Sequence, residues 1–246
     1  MSDAMLAETI HLTGWNGDRI EAYLARPLSP QPRGGVVVIH HMPGWSFGMK
    51  EITRRFAAEG YLALCPNLHY RDAPGASPDD ASAASRANGG VPDERLLGDV
   101  GAAVEFLRLA RSSNGRVGVI GYCSGGRQAF LAGCNLPVDA AVDCYGAFVN
   151  GIPPADFPIP VTPIMDQADR LSCPLLGLFG GQDRFPSPEH VAELDEVLTR
   201  LGKEHEFHSY PEAGHGFFSP DRPSYRQAAA VDGWARILTF FGRTLS

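Results

Sequence analysis

Positive charge is scarce in this chain of 246 residues: 21 lysines and arginines stand against 28 aspartates and glutamates, a formal charge of −7. No stretch gathers basic residues into a stripe, so the phosphate neutralisation behind most nucleic-acid affinity is missing, and no nucleic-acid partner is expected. Long apolar runs are absent too, which argues against a membrane-spanning helix. The opening residues MSDAMLAE include acids and lack both a basic start and an apolar core, so they do not read as a secretory signal, and the expected location is the cytoplasm. Cysteine is sparse: Cys65, Cys123, Cys134, Cys144 and Cys173 are odd in number and scattered, with no Cys-x-x-Cys among them. That pattern excludes a disulfide framework and gives no support to a zinc site or a paired redox motif. No internal repeat is present.

What is present is 44% hydrophobic composition, enough for one large core, and one domain spanning 1–246 is expected. Residues 10–13 and 20–24 flank Asn16-Gly17, a tight-turn signal, and read as an antiparallel strand pair. Residues 35–40 form an apolar run without alternation, as in a central parallel strand covered on both faces. Helical spacing follows over 49–59 up to Gly60, then a strand over 61–66. Residues 67–92, rich in Asp, Ala, Ser, Pro and Gly, are expected to be an irregular, lid-like insertion. Further on, a helix over 95–109, strands over 116–121, 138–145, 174–179 and 206–210, a helix opened by Ser187-Pro188, and a final helix through 231–241 complete the alternation. Residues 152–163, proline-rich, are expected to cross the surface. The fold class is α/β: a mostly parallel twisted sheet, helices on both faces, and an antiparallel N-terminal strand pair.

The most informative stretch is Gly118-Val119-Ile120-Gly121-Tyr122-Cys123-Ser124-Gly125-Gly126, where an apolar strand passes through a glycine-flanked cysteine into a helix. A nucleophile held on a sharp strand-to-helix turn needs glycines where its neighbours crowd the backbone, and the frame Gly-x-Cys-x-Gly supplies them at 121 and 125. A thiol there also meets the positive end of a helix, which favours the thiolate. Ser124 is the rival nucleophile, but centring the frame on it puts Tyr122 where the first glycine belongs. The bland alternative for Cys123 is a small core residue.

A thiol nucleophile needs a proton acceptor, and of eight histidines His215 stands out, glycine-flanked between the last strand and the last helix. His205 and His208 point to opposite faces of a strand, as do the neighbours His40 and His41, so neither pair makes a joint metal site. His11, His69 and His190 have no supporting context. The orienting acid is Asp183, after Gly180-Gly181-Gln182, or Asp143, inside its strand; Asp183 is favoured. Backbone N–H groups of Ser124 and Met42 are the expected oxyanion donors, Met42 on the position of its loop alone.

Taken together, residues 36–44, Cys65-Pro66-Asn67-Leu68, Asn114-Gly115-Arg116-Val117-Gly118, Gly121-Tyr122-Cys123-Ser124-Gly125-Gly126, Tyr145-Gly146, Gly180-Gly181-Gln182-Asp183 and Ala213-Gly214-His215-Gly216-Phe217 resemble the dienelactone hydrolase family. This is a branch of the α/β hydrolases that uses cysteine where most relatives use serine. The resemblance implies the α/β-hydrolase fold, a Cys123–His215–Asp183 triad, a thioester acyl-enzyme resolved by water, a small-molecule ester or lactone as substrate, and neither metal nor organic cofactor. The chain departs from the family's dienelactone-cleaving members at His41, where they carry a glutamate near the thiol, and at Ser219, where they carry an arginine for the substrate carboxylate. Less acidic, more apolar substrates are then expected, with His41, Trp45, Tyr145, Phe217 and the neighbouring Phe218 as pocket candidates. The competing readings are a non-catalytic ligand-binding protein on the same fold, a promiscuous esterase or phosphotriesterase, and thiol redox chemistry at Cys123.

Overall fold

The computed structural model describes residues 4–28, 31 and 33–246; Met1–Asp3, part of the stretch read above for a secretory signal, lie outside them. Eight strands form one sheet: β1 (Met5–Thr13), β2 (Arg19–Pro27), β3 (Arg33–Ile39), β4 (Leu62–Pro66), β5 (Ser113–Tyr122), β6 (Ala140–Cys144), β7 (Leu175–Gly180) and β8 (His205–Tyr210), in the order β1-β2-β4-β3-β5-β6-β7-β8. β2 pairs antiparallel with β1 and β4, and every other pairing is parallel. The turn between β1 and β2 runs through Asn16 at φ 56° and Gly17 at φ 78°, the left-handed geometry that an Asn-Gly pair tolerates.

Among the described residues there are six α-helices, most of them packed on the sheet: α1 (Phe47–Ala58), α2 (Pro78–Ala87), α3 (Asp93–Leu109), α4 (Ser124–Asn135), α5 (Pro188–Arg200) and α6 (Gln227–Thr244). Because side chains alternate across a strand, the unbroken apolar run of β3 feeds two cores at once. Val37 and Ile39 join one buried cluster with Leu96 and Val100 of α3, Phe130 of α4 and Leu194 of α5, while Val36 and Val38 join another with Phe56 of α1 and Trp234 and Phe241 of α6. All four β3 side chains are fully buried, each worth about 1.5–3 kcal/mol of apolar transfer.

One expectation needs correction. Residues 67–92 are not wholly irregular, since α2 occupies their centre. Ser77 caps it by accepting from the Asp80 N–H at 3.2 Å, Pro78 opens it, Asp79 and Asp80 sit at its positive end, and alanine favours its interior. Its buried face is Ala81, Ser82 and Ser85, small or polar groups that leave no apolar stripe to read. Residues 152–163 cross the surface without helix or strand, as expected, and in doing so turn Phe157, Ile159 and Val161 into a cavity. The Ser187 cap of α5 takes the reciprocal form, with His190 as third residue: Ser187 Oγ accepts from the His190 N–H at 3.3 Å and His190 Nδ1 from the Ser187 N–H at 3.2 Å. Among the described residues, no helix is long and apolar enough to cross a membrane.

Candidate active site

Loops leaving the carboxyl ends of β3, β5, β6 and β7, together with the loop after β8, meet over one cavity of about 430 Å³, where open α/β sheets bind ligands. Cys123 enters it from the turn between β5 and α4. Its backbone lies at φ 58°, ψ −122°, a region L-residues avoid, and is held there by its N–H to the Cys144 carbonyl at 3.0 Å and its carbonyl to the Gly126 N–H at 2.9 Å. The flanking glycines are sterically required: a Cβ on Gly121 would sit 1.8 Å from the Gly125 carbonyl oxygen, and one on Gly125 would sit 2.4 Å from that of Ile39. Ser124 also borders the cavity, but it is the first residue of α4 and the strained position belongs to Cys123. The other four cysteines are buried, and burial pushes the thiols of Cys65, Cys134 and Cys173 up to about 12.

His215 Nδ1–H donates to Asp183 Oδ2 at 2.8 Å, which leaves Nε2 for the cavity side. Burial opposes a charge on this ring, but the Asp183 carboxylate and the Cys123 thiol outweigh it and hold His215 well above its ordinary value. Asp183 is buried, and its second oxygen accepts from the Phe185 N–H at 2.9 Å, which fixes the carboxylate plane. The alternative acid, Asp143, is buried within β6 and turns Oδ1 to the Gly146 N–H at 2.7 Å; its Oδ2 has no hydrogen-bond partner among the described residues. The carboxylate bonded to His215 is therefore Asp183.

Met42 and Ser124 both line the cavity, and neither N–H is engaged within the protein among the described residues. The loop carrying Met42 is braced by two side chains that spacing did not reveal. Ser82 of α2 donates Oγ–H to the Met42 carbonyl at 2.7 Å. His40 bridges the exits of β3 and β4: Nε2 accepts from the Leu68 N–H at 3.1 Å, so Nδ1 carries the hydrogen donated to the His41 carbonyl at 2.9 Å. Burial, then the neighbouring His69, pushes His40 down to about 3, so the brace stays neutral. The only advance signal for either was its nearness to the Met42 loop or its occurrence in the polar segment.

The expected aromatic wall is replaced by a different one. Trp45 is buried, donating its indole N–H to the Cys65 carbonyl at 3.0 Å, and Phe217 is fully buried between Tyr145 and Tyr210, with ring centroids at 5.1 and 5.2 Å. Neither borders the cavity, because both turn inward into the core shared with α1 and α6. Tyr145 is buried beneath the site, its ring edge-on to His215 at 5.1 Å, and Phe218 belongs to the same core. His41 is half-buried outside the cavity, its Nε2 without a partner among the described residues, and burial followed by the charge of His40 pushes it down to about 4. Phe148, Phe157 and Phe185 supply the aromatic lining instead. Among the described residues, no three His, Cys, Asp or Glu side chains are arranged to hold a metal ion.

The sequence model of the dienelactone hydrolase family matches residues 20–245. The chain belongs to that family. It is 35% identical over 228 residues to the "Putative carboxymethylenebutenolidase" of Escherichia coli (strain K12), covering 92% of this chain and 83% of that one. Against the carboxymethylenebutenolidase of Pseudomonas putida it is 30% identical over 244 residues, 96% of each chain. The crystal structure of a "Putative Dienelactone Hydrolase" from Klebsiella pneumoniae subsp. pneumoniae MGH 78578 superposes with a TM-score of 0.85 at 29% identity, over 97% of this chain and 99% of that one. A dienelactone hydrolase-like promiscuous phosphotriesterase from metagenomic libraries shares the fold, with a TM-score of 0.75 at 23% identity, over 99% of this chain and 100% of that one. The α/β-hydrolase architecture and a hydrolase family follow from these matches together with the sheet.

Proposed function

We propose that this protein hydrolyses carboxylic esters or lactones through a thioester on Cys123, with His215 as proton carrier and Asp183 as the group that orients and charges it. The observation that carries the reading is the meeting of a strained cysteine and a carboxylate-bonded imidazole over one cavity. The Cys123 thiolate attacks the carbonyl carbon, and charge moves onto the carbonyl oxygen, for which the Met42 and Ser124 N–H groups are the donors. Collapse expels the alkoxide, which takes the proton from His215 Nε2, and the acyl group remains on sulfur. Water then attacks the thioester while His215 removes its proton; the carboxylic acid departs and the thiolate–imidazolium pair returns.

Every step is assigned to side chains and backbone of this chain, acting as one domain on a small molecule in the cytoplasm. The test combines turnover of p-nitrophenyl acetate with mass spectrometry of the trapped acyl-enzyme. Cys123→Ala should abolish turnover, and the acyl mass should fall on the peptide containing Cys123. Undiminished turnover in the variant, or an acyl group on Ser124, refutes the reading. A wild-type protein that binds esters without ever becoming acylated would be the ligand-binding protein instead.

A further inference from the structure

The cavity beside Cys123 is lined by two arginines and three phenylalanines, and these two kinds of wall ask for different substrates. Arg127 is buried and its charge is matched by Asp93, onto which it forks at 2.9 and 3.0 Å while donating to the Thr162 carbonyl at 2.8 Å; only its Nε–H is left without a partner among the described residues. Arg184 is exposed, and an exposed guanidinium gains little from pairing with an anion in water. The formal charge of −7 adds a weak repulsion of anions over the whole surface.

The rings form a continuous surface. Phe157 meets Phe148 edge-on at 4.9 Å, Phe185 lies tilted against Phe148 at 5.2 Å, and Ile159 and Val161 extend the wall from the proline-rich segment. A carboxylate moved against this lining would lose its water without gaining a free buried cation. An uncharged ring would gain apolar contact in the offset and edge-on geometry that aromatic groups prefer.

Resting on the cysteine-hydrolase reading of this site, we propose that the cavity selects esters or lactones whose non-reacting part is an uncharged aryl or similarly bulky apolar group. Phe157, delivered by the proline-rich segment, is the residue that sets this selectivity.

The matched pair 4-methylphenyl acetate and 4-acetoxybenzoate tests it, since the two differ by a methyl group against a carboxylate at one ring position. Calorimetric binding to the Cys123→Ala variant reads selectivity separately from turnover, and kcat/KM of the wild type on both esters reads the reaction. The methyl compound should bind about ten-fold tighter or more, and Phe157→Ala in the same background should weaken it about five-fold while narrowing the ratio. Equal or tighter binding of the carboxylate overturns the proposal, as does binding of neither ester, or a Kd within about two-fold after Phe157→Ala. The expected binding preference in a protein that hydrolyses neither ester would remove the hydrolase reading and leave the selectivity of the cavity standing.

Discussion

Asp143 is a buried carboxyl with one hydrogen bond, one unpartnered oxygen and no cation in contact among the described residues, and replacing it by asparagine should invert its effect on stability between mildly acidic and mildly basic pH. Burial pushes its ionisation up from the ordinary 3.8 to about 7, against the smaller opposing effects of the Gly146 N–H and the charge of His215. Since the folded value exceeds the unfolded one, the native state holds a proton that the unfolded chain has released throughout this interval. The contribution is complete below about pH 4, declines by about 1.4 kcal/mol per pH unit, and is gone above about pH 7, a total on the order of 4 kcal/mol. The substituted asparagine would still accept from the Gly146 N–H, but its amide N–H groups would lie at the unpartnered site, a pH-independent cost of about 1–3 kcal/mol. The wild type should therefore be the more stable protein near pH 4 and Asp143→Asn the more stable near pH 8, with a crossing between about 4.5 and 6. Urea unfolding of both proteins under reducing conditions across this range measures the difference directly. Curves that run parallel within about 0.5 kcal/mol would show that Asp143 is ionised in the native state at all these pH values, and the burial argument would be wrong.

Two further outcomes follow from the geometry. Asp183→Asn removes the acceptor of the His215 Nδ1–H, so kcat should fall by roughly 10²–10⁴-fold and the His215 ionisation, followed by NMR titration of the ring, should move down; an unmoved ring titration refutes the assignment. Ser82→Ala deletes the hydrogen bond to the Met42 carbonyl, and kcat should drop about three- to ten-fold with KM nearly constant and the thermal midpoint little changed; a change confined to KM would show that the Met42 loop is not braced for catalysis.

The alternation of the fold was legible because each parallel strand has to present apolar residues to both faces, and runs such as 35–39 and 117–121 announce that need without any tertiary information. α2 was not, because its buried face of Ala81, Ser82 and Ser85 fits against the loop of Met42 through small size and a hydroxyl. Helix-forming chemistry was nonetheless present at Ser77-Pro78-Asp79-Asp80, where a cap, a permitted proline and two acids mark a start. Reading ends as well as faces would have found it.

The residues of the candidate site divide along the same line. Gly121 and Gly125 are dictated by contacts of 1.8 and 2.4 Å that a Cβ would make, so the strained turn at Cys123 leaves its mark within five positions of sequence. The His215–Asp183 pair is legible through chain order and glycine-bounded loops at strand ends. The cavity wall has no such local requirement. Whether Phe217 or Phe157 faces the ligand depends on which way a loop turns after leaving its strand: Phe217 follows Gly216 at φ 76° into the core beside α6, while Phe157 comes from a segment whose prolines and exposed Ile152 look like surface crossing. Apolar side chains at 157, 159 and 161 were the available signal, since a segment bound only for solvent has no physical reason to carry three of them at alternate positions. In the proposed reading, chemistry is thus encoded by short-range backbone constraints, and selectivity by where a loop free of such constraints comes to rest, so the second can change without disturbing the first.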